Sequence, residues 1–209
     1  MTSFRELKSN KTHNKDKDMM DAFCKLARRL TLAPVLAMFS LLSAALLRPE
    51  IFKTAWHFVY TMLFLGILPL LAYPLQPLIP RFREKGRDGQ RTLAMLFAVA
   101  GYLLNFAVCL IAQPTRELWL ICLEYLLSGV LILVFNKLLH IKLSAHGCGS
   151  AGPVALLLYF GMPVPALVMA ALTALAYVSS VRAGHHTMGQ LLGGSAVSVV
   201  LLAVLAAVV

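Results

Sequence analysis

The sequence predicts an all-α fold, a polytopic membrane bundle of six or seven transmembrane helices. Hydrophobic residues make up 59% of the 209-residue chain and charged residues only 13%, with a mean hydropathy of +0.78. An ordinary soluble domain has about 25% charged residues. A helix needs about 20 apolar residues to cross the hydrocarbon core, and the chain is long enough for six or seven such spans. This composition argues strongly against a water-soluble fold.

The first thirty residues are polar and basic and precede the first apolar run. Residues 1–18 have almost no apolar side chains, which is typical of a disordered cytosolic tail. Residues 19–30 place apolar side chains opposite basic ones at helical spacing, which predicts an interfacial amphipathic helix. Because a cleavable signal peptide has only a short charged region before its apolar run, we expect no processing. The transmembrane domain is then 31–209.

Seven apolar segments follow in order along the chain. They lie at about 31–47, 54–79, 92–112, 118–139, 153–160, 164–178 and 191–209. The fifth is too short to cross a bilayer and must begin earlier, near Gly147. We expect the prolines at positions 69, 74 and 77 to kink or end the second segment.

Lys and Arg residues lie mostly on one side of this arrangement. If the segments cross alternately, the tail and the segments 81–91, 140–152 and 179–190 share a side. All but three of the 19 Lys and Arg residues are on that side, and the exceptions are Arg48, Lys53 and Arg116. Because cytoplasmic segments carry the excess of Lys and Arg, we expect the N terminus and these polar segments to be cytoplasmic.

The same segments contain residues suited to phosphate chemistry. Four of the six histidines are in two of the segments, and Arg and Lys crowd the third. Fixed cations stabilise the charge that spreads over phosphoryl oxygens. One histidine can attack phosphorus and a second can protonate the leaving oxygen near neutral pH. Glycines beside them, such as Gly147 and Gly184, let backbone amides approach an anion. The four histidines are His140, His146, His185 and His186.

Three short motifs occur in these segments, in order along the chain. Residues 88–94 read D-G-Q-R-T-L-A, residues 142–146 read K-L-S-A-H, and residues 186–190 read H-T-M-G-Q. They resemble the motifs D-R-x-x-R-T-x-P, K-I-S-x-H and H-T-P-x-Q of a bacterial branch of the type 2 phosphatidic acid phosphatase superfamily, with Ala94 in place of the proline. The resemblance covers about residues 75–200.

This resemblance implies a membrane lipid phosphatase that works through a phosphohistidine intermediate. His186 would attack phosphorus, and His146 would protonate the leaving group. Arg91 would hold phosphoryl oxygens, and Gln190 would orient the nucleophile. The other residues assigned to the phosphate site are Lys142, Arg182 and Asp88. The resemblance also implies an integral protein of the bacterial inner membrane that acts on a lipid phosphate in the bilayer, with no cofactor and no nucleic-acid partner.

Two positions depart from the family's pattern. Gln190 stands where the family usually has an aspartate. Its amide oxygen can accept the imidazole Nδ1 proton and fix the tautomer, but it supplies no charge to stabilise an imidazolium. Ser180 occupies the position of an arginine beside the nucleophile, and Arg182 is two residues further on. Both departures predict a weaker catalyst than the family's standard set of residues.

Other functions fit the same residues. A relative that lacks the arginine and the aspartate would bind a lipid phosphate without hydrolysing it. A small transporter would use Glu124, inside the fourth apolar segment, and the proline-rich second segment to line an aqueous path. The chain has no internal repeat and almost no other intramembrane charge, which argues against transport. The adjacent histidines at 185 and 186 cannot easily share one ion, so we expect no metal.

The lipid and the oligomeric state stay open at this stage. Phosphatidic acid, phosphatidylglycerol phosphate, a polyprenyl diphosphate and phosphorylated lipid A all offer the same leaving chemistry.

Overall fold

The computed structural model describes residues 31–184 and 186–209, which are helical and contain no strand. The predicted tail and amphipathic helix, residues 1–30, and His185 lie outside the described residues. Short helical turns occur at Pro49–Ile51 and Pro80–Arg83. The main helices are α1 Ala33–Leu47, α2 Ala55–Leu78, α3 Gly86–Ala112, α4 Arg116–Leu138, α5 Ala145–Tyr159, α6 Pro163–Arg182 and α7 Met188–Val208.

Five of these helices are long and apolar enough to cross a membrane: α2, α3, α4, α6 and α7. Their lengths range from 20 to 27 residues. Helices α1 and α5 have 15 residues each, about 22 Å at 1.5 Å per residue, which is less than the roughly 30 Å hydrocarbon core. The all-α class is confirmed, with five candidate membrane-spanning helices among the described residues. The total of six or seven spans depends on α1 and α5 and stays a prediction.

Prolines alter the geometry of α2 without ending it early. Its turns are α-helical over Ala55–Thr61, π-helical over Met62–Ile67, α-helical over Leu68–Leu75 and 3₁₀ over Gln76–Leu78. Pro69 has no N–H, and its ring crowds the carbonyl group four residues earlier. The backbone before Pro69 accordingly uses the wider hydrogen-bonding pattern of a π turn. The helix ends at Leu78, because Pro80 disfavours helical backbone at Ile79.

Contacts between connections define one end of the bundle. The Arg48 guanidinium, after α1, donates a hydrogen bond to the Phe160 carbonyl oxygen, after α5, over 2.6 Å. The Thr115 hydroxyl, before α4, donates to the Ile51 carbonyl oxygen over 2.6 Å. These bonds bring together the α1–α2, α3–α4 and α5–α6 connections. We call this end the opposite end.

The other end gathers the remaining connections, and we call it the cavity end. There the Ser144 backbone N–H, before α5, donates to the Gln190 carbonyl oxygen in the first turn of α7 over 2.9 Å. The helices therefore alternate in direction, as the polar segments of the sequence predicted. The described Lys and Arg residues at the cavity end are Arg81, Arg83, Lys85, Arg87, Arg91, Lys137, Lys142 and Arg182, against Arg48, Lys53 and Arg116 at the opposite end.

Candidate functional site

A cavity of about 450 Å³ begins at the cavity end and extends between α1, α2, α3, α4 and α5. Three of the residues that the sequence predicted for the site line it: Arg91, His146 and His186. Most of its other lining residues are apolar or aromatic. Ligand-binding pockets commonly have volumes of about 300–1,000 Å³ and mostly apolar walls with a few polar groups. The cavity thus matches an amphiphilic ligand whose polar group lies near the helix termini.

His186 is held by a hydrogen bond to Gln190. The Oε1 atom of Gln190 lies 3.3 Å from the His186 Nδ1 atom, and it also accepts the backbone N–H of Thr187 over 3.3 Å. Because the N–H of Thr187 requires an acceptor, that amide atom is the oxygen, and Nδ1 of His186 must be the donor. The Nε2 atom then carries the imidazole lone pair. This is the tautomer that a nucleophilic histidine needs.

The same residues cap the start of α7. The Thr187 hydroxyl accepts the Gln190 backbone N–H over 3.3 Å, and the Gln190 side chain bonds back to the Thr187 N–H. This reciprocal arrangement is a capping box. Gln190 therefore does two things at once, since it caps the helix and orients the imidazole that precedes the cap.

His146 lies in the first turn of α5, outside the five candidate spans. Ser144 caps this helix by accepting the Gly147 backbone N–H over 3.2 Å. Burial, and to a smaller extent the nearby His186, lower the pKa of His146 to about 4. An imidazole with such a pKa is neutral at pH 7 unless an anion binds beside it.

Arg91 is in the second turn of α3, and its side chain is exposed at the mouth of the cavity. Among residues 31–184 and 186–209, the ion pair formed is that between Arg48 and Glu50 at the opposite end. Arg91 therefore has no carboxylate partner among these residues. A guanidinium in this position can bind two oxygens of a phosphate at once.

The remaining predicted residues lie at the same end but do not line the cavity. Lys142, Arg182 and Asp88 are all exposed. Ser180, which stands in place of the family's arginine, is only 6% exposed. Its position faces the protein interior, and Arg182 is in the last turn of α6. The predicted roles of these residues in phosphate binding stay predictions.

Two glycines set the distance between the helices that carry the histidines. A Cβ atom on Gly147 would overlap the carbonyl oxygen of Leu191, and one on Gly194 would overlap the carbonyl oxygen of Ser144. Small residues let helix backbones approach this closely in membrane proteins. The sequence suggested that Gly147 lets backbone approach an anion, whereas in the structure it lets α7 approach α5. This contact fixes the relative position of the two helix N termini.

Positive helix N termini meet at the mouth of the cavity. His146 lies in the first turn of α5, and His186 directly precedes the cap of α7. The free N–H groups and the dipole at the start of a helix favour anions. Together with Arg91 they form a site suited to a phosphate. Among the described residues, no group of three His, Cys, Asp or Glu side chains is placed to hold a metal ion.

The walls of the cavity include residues that sequence reasoning did not assign to it. Tyr102 and Tyr125 line its deeper part together with Glu124. One signal was present in the sequence: Tyr102 follows Arg91 by eleven residues, which is close to three helical turns and puts both on one face of α3. The face of each helix that packs against the other helices could not be predicted from the sequence of that helix.

No protein-family model, curated protein or solved structure matches this chain.

Proposed function

We propose that this protein is a membrane lipid phosphatase of the type 2 phosphatidic acid phosphatase kind, which hydrolyses a lipid phosphate or diphosphate monoester through a phosphohistidine. The observation that carries the proposal is that Arg91, His146 and His186, from three separate polar segments, line the mouth of one apolar-walled cavity. A phosphate at the mouth would meet a guanidinium and two imidazoles, while the acyl or prenyl chain occupies the apolar part.

The chemistry runs in two steps in this proposal. His186 Nε2 attacks phosphorus, so a P–N bond forms and the bond from phosphorus to the leaving oxygen breaks. His146 donates a proton to that oxygen. A water molecule then attacks the phosphohistidine, so a P–O bond forms and the P–N bond to His186 breaks. The water gives a proton to His146, and inorganic phosphate leaves. Arg91 and the two helix N termini stabilise the phosphoryl charge in both transition states.

The state of His146 adds a requirement to this scheme. Its pKa is about 4 because burial disfavours the charged ring, so the unliganded site holds it neutral. A bound phosphate dianion favours the imidazolium by charge attraction. The proton for the leaving group is therefore taken up together with the substrate.

The excess of Lys and Arg at the cavity end supports a cytoplasmic position for the mouth, by the positive-inside rule. The protein is then an integral protein of a bacterial inner membrane, with its N terminus on the same side. The cavity is lined by helices that are apolar on their outer faces, so the lipid reaches it laterally from the bilayer.

One observation favours a second candidate, a protein that binds lipid phosphate without hydrolysing it. Ser180 is buried and Arg182 lies outside the cavity, so within the described residues Arg91 is the arginine that lines the mouth. An enzyme with fewer cations at the phosphate stabilises the transition state less. Binding a phosphate without hydrolysing it requires fewer cations than catalysis does.

Phosphate release from detergent-purified protein separates the two candidates. The substrates are phosphatidic acid, phosphatidylglycerol phosphate, a polyprenyl diphosphate and phosphorylated lipid A. The variants are His186→Asn and His146→Asn, and His140→Asn is the matched control because His140 is exposed at the same end and does not line the cavity. Turnover that is lost in the first two variants and kept in the control supports the enzyme. Release by the wild type that never exceeds that of His186→Asn on any lipid overturns it.

A further inference from the structure

Glu124 lies in the deep part of the same cavity, far from the phosphate site at its mouth. Its side chain is 2% exposed and lines the cavity. Neither carboxyl oxygen has a hydrogen-bond partner among the described residues. The proposed phosphatase chemistry makes no use of it.

The depth of Glu124 follows from its contact with α5. A Cβ atom on Gly152 would lie 3.3 Å from the Oε1 atom of Glu124, so the carboxyl group faces that residue. His146 and Gly152 are six residues apart in α5, which corresponds to about 9 Å along the helix. The residue of α5 that the carboxyl group faces is therefore about 9 Å further along the helix into the bundle than His146.

Polar side chains packed between α5, α6 and α7 are hydrogen-bonded within the protein. On the side of α5 that faces α6 and α7, the Ser150 and Tyr177 hydroxyls each donate to the Gly147 carbonyl oxygen over 3.2 Å. Buried polar groups are nearly always hydrogen-bonded, because an unpaired one loses its water without compensation. Glu124 is thus an exception among the described residues, and it lines the cavity.

We propose that Glu124 accepts a hydrogen bond from a hydroxyl group on the acyl chain of a lipid phosphate, so that the cavity selects lipids with 3-hydroxyacyl chains. The inference rests on the proposed function for the position of the phosphate at the mouth. A 3-hydroxyl on the acyl chain of a phosphorylated glycerolipid is about eight covalent bonds from phosphorus, roughly 9–10 Å when extended. This reach is similar to the rise along α5 between His146 and Gly152, the residue that the Glu124 carboxyl group faces. Lipids whose chains carry no donor leave the carboxyl group unpaired.

A matched pair of lipids tests this selection directly. The two probes are phosphatidic acid with two 3-hydroxymyristoyl chains and phosphatidic acid with two myristoyl chains, which differ only in the hydroxyl groups. Their Kd values are measured in detergent micelles by ligand-induced thermal stabilisation, which requires no turnover. We expect the wild type to bind the hydroxylated lipid about tenfold more tightly, the typical effect of one buried hydrogen bond.

Two variants distinguish an effect of losing the hydrogen bond from an effect of losing the fold. Glu124→Leu removes the acceptor and is expected to bind both lipids equally, whereas Glu124→Gln keeps an acceptor oxygen and is expected to retain the preference. Equal binding of both lipids by the wild type overturns the inference, and so does a preference that persists in Glu124→Leu. If Glu124→Leu does not fold, the wild-type ratio still decides.

Phosphate release measured on the same samples distinguishes this inference from the proposed function. A wild type that prefers the hydroxylated lipid but releases no phosphate from either probe or from any other lipid of the panel supports the inference and contradicts the phosphatase. A wild type that hydrolyses both probes with equal Kd supports the phosphatase and contradicts the inference.

Discussion

Replacing Gln190 by glutamate changes the side chain that is hydrogen-bonded to His186. The new side chain has the same length, and glutamate is a favoured residue at this position of a capping box, so the start of α7 is expected to stay intact. The change places a carboxylate oxygen where Gln190 Oε1 now lies, 3.3 Å from the His186 Nδ1 atom. As His186 Nε2 attacks phosphorus, positive charge develops on the ring and the carboxylate stabilises it.

The size of the effect follows from the kind of hydrogen bond. A neutral hydrogen bond contributes about 0.5–1.5 kcal/mol and one to a charged group about 1.5–3 kcal/mol. The difference of about 1.4 kcal/mol in the transition state corresponds to about tenfold in rate. We therefore expect Gln190→Glu to raise kcat about tenfold on the best lipid of the panel, and Gln190→Leu to lower it by at least as much.

Phosphate release at saturating lipid measures kcat, and thermal unfolding in detergent checks that each variant is folded. Gln113→Glu is the control, because it makes the same chemical change at an exposed position of the opposite end. A folded Gln190→Glu protein with unchanged or reduced kcat would refute the idea that the amide orients a nucleophilic imidazole.

Three further predictions concern the same site. Arg91→Gln is expected to lower kcat/KM about 30- to 160-fold, since a charge-assisted bond to phosphate contributes about 2–3 kcal/mol. Arg83→Gln, at an exposed position in the α2–α3 connection and outside the cavity, should change it less than threefold, and equal losses in both variants would point to general surface charge. Gly194→Ala is expected to reduce the free energy of unfolding by about 1–3 kcal/mol, because its Cβ overlaps a backbone carbonyl oxygen of the facing helix connection. Gly189→Ala, whose Cβ has no neighbour closer than 4.0 Å, serves as its control in thermal unfolding, and equal shifts in both variants would contradict the packing argument. The pH dependence of stability is the third prediction. Because the pKa of His146 falls from 6.5 to about 4 on folding, its neutral form stabilises the fold above pH 6.5, and this stabilisation is lost as the pH falls towards 4. Unfolding measured from pH 7 to pH 4 should show a shallower loss of stability in His146→Asn than in the wild type, and identical curves would argue against burial of the imidazole.

The sequence was sufficient for the class of fold and for the end of the bundle at which the site lies. Apolar runs of span length predicted the helices, and alternation along the chain placed residues 81–91, 140–152 and 179–190 at one end. Arg91, His146 and His186 therefore meet as a consequence of helix order and motif position. This part of the site depends on local periodicity and chain direction, which a single sequence contains.

The orientation of each helix about its own axis could not be predicted in this way. Lys142 was assigned to the phosphate from its motif, and Arg182 because it lies two residues after Ser180, yet both side chains lie outside the cavity. The rotation of a helix is decided by packing against its neighbours, such as the glycine contact between α5 and α7. For the same reason the sequence identified Glu124 as unusual but did not place it in the same cavity as the histidines.

The π turns of α2 rotate the residues before them about the helix axis relative to the residues after them. A π turn contains about one residue more than an α turn, so the residues before Met62–Ile67 are rotated by about 100° relative to those after it, compared with a regular helix. Before the π turns, His57 Nε2 lies 3.2 Å from the Ala112 carbonyl oxygen at the opposite end, and after them, Pro69 and Tyr73 line the cavity. A regular helix could satisfy only one of these two anchors. Because of the extra residue, one span makes the contact of His57 at the opposite end and also places Pro69 and Tyr73 in the cavity wall. Deleting that residue would rotate one part of α2 away from its contacts.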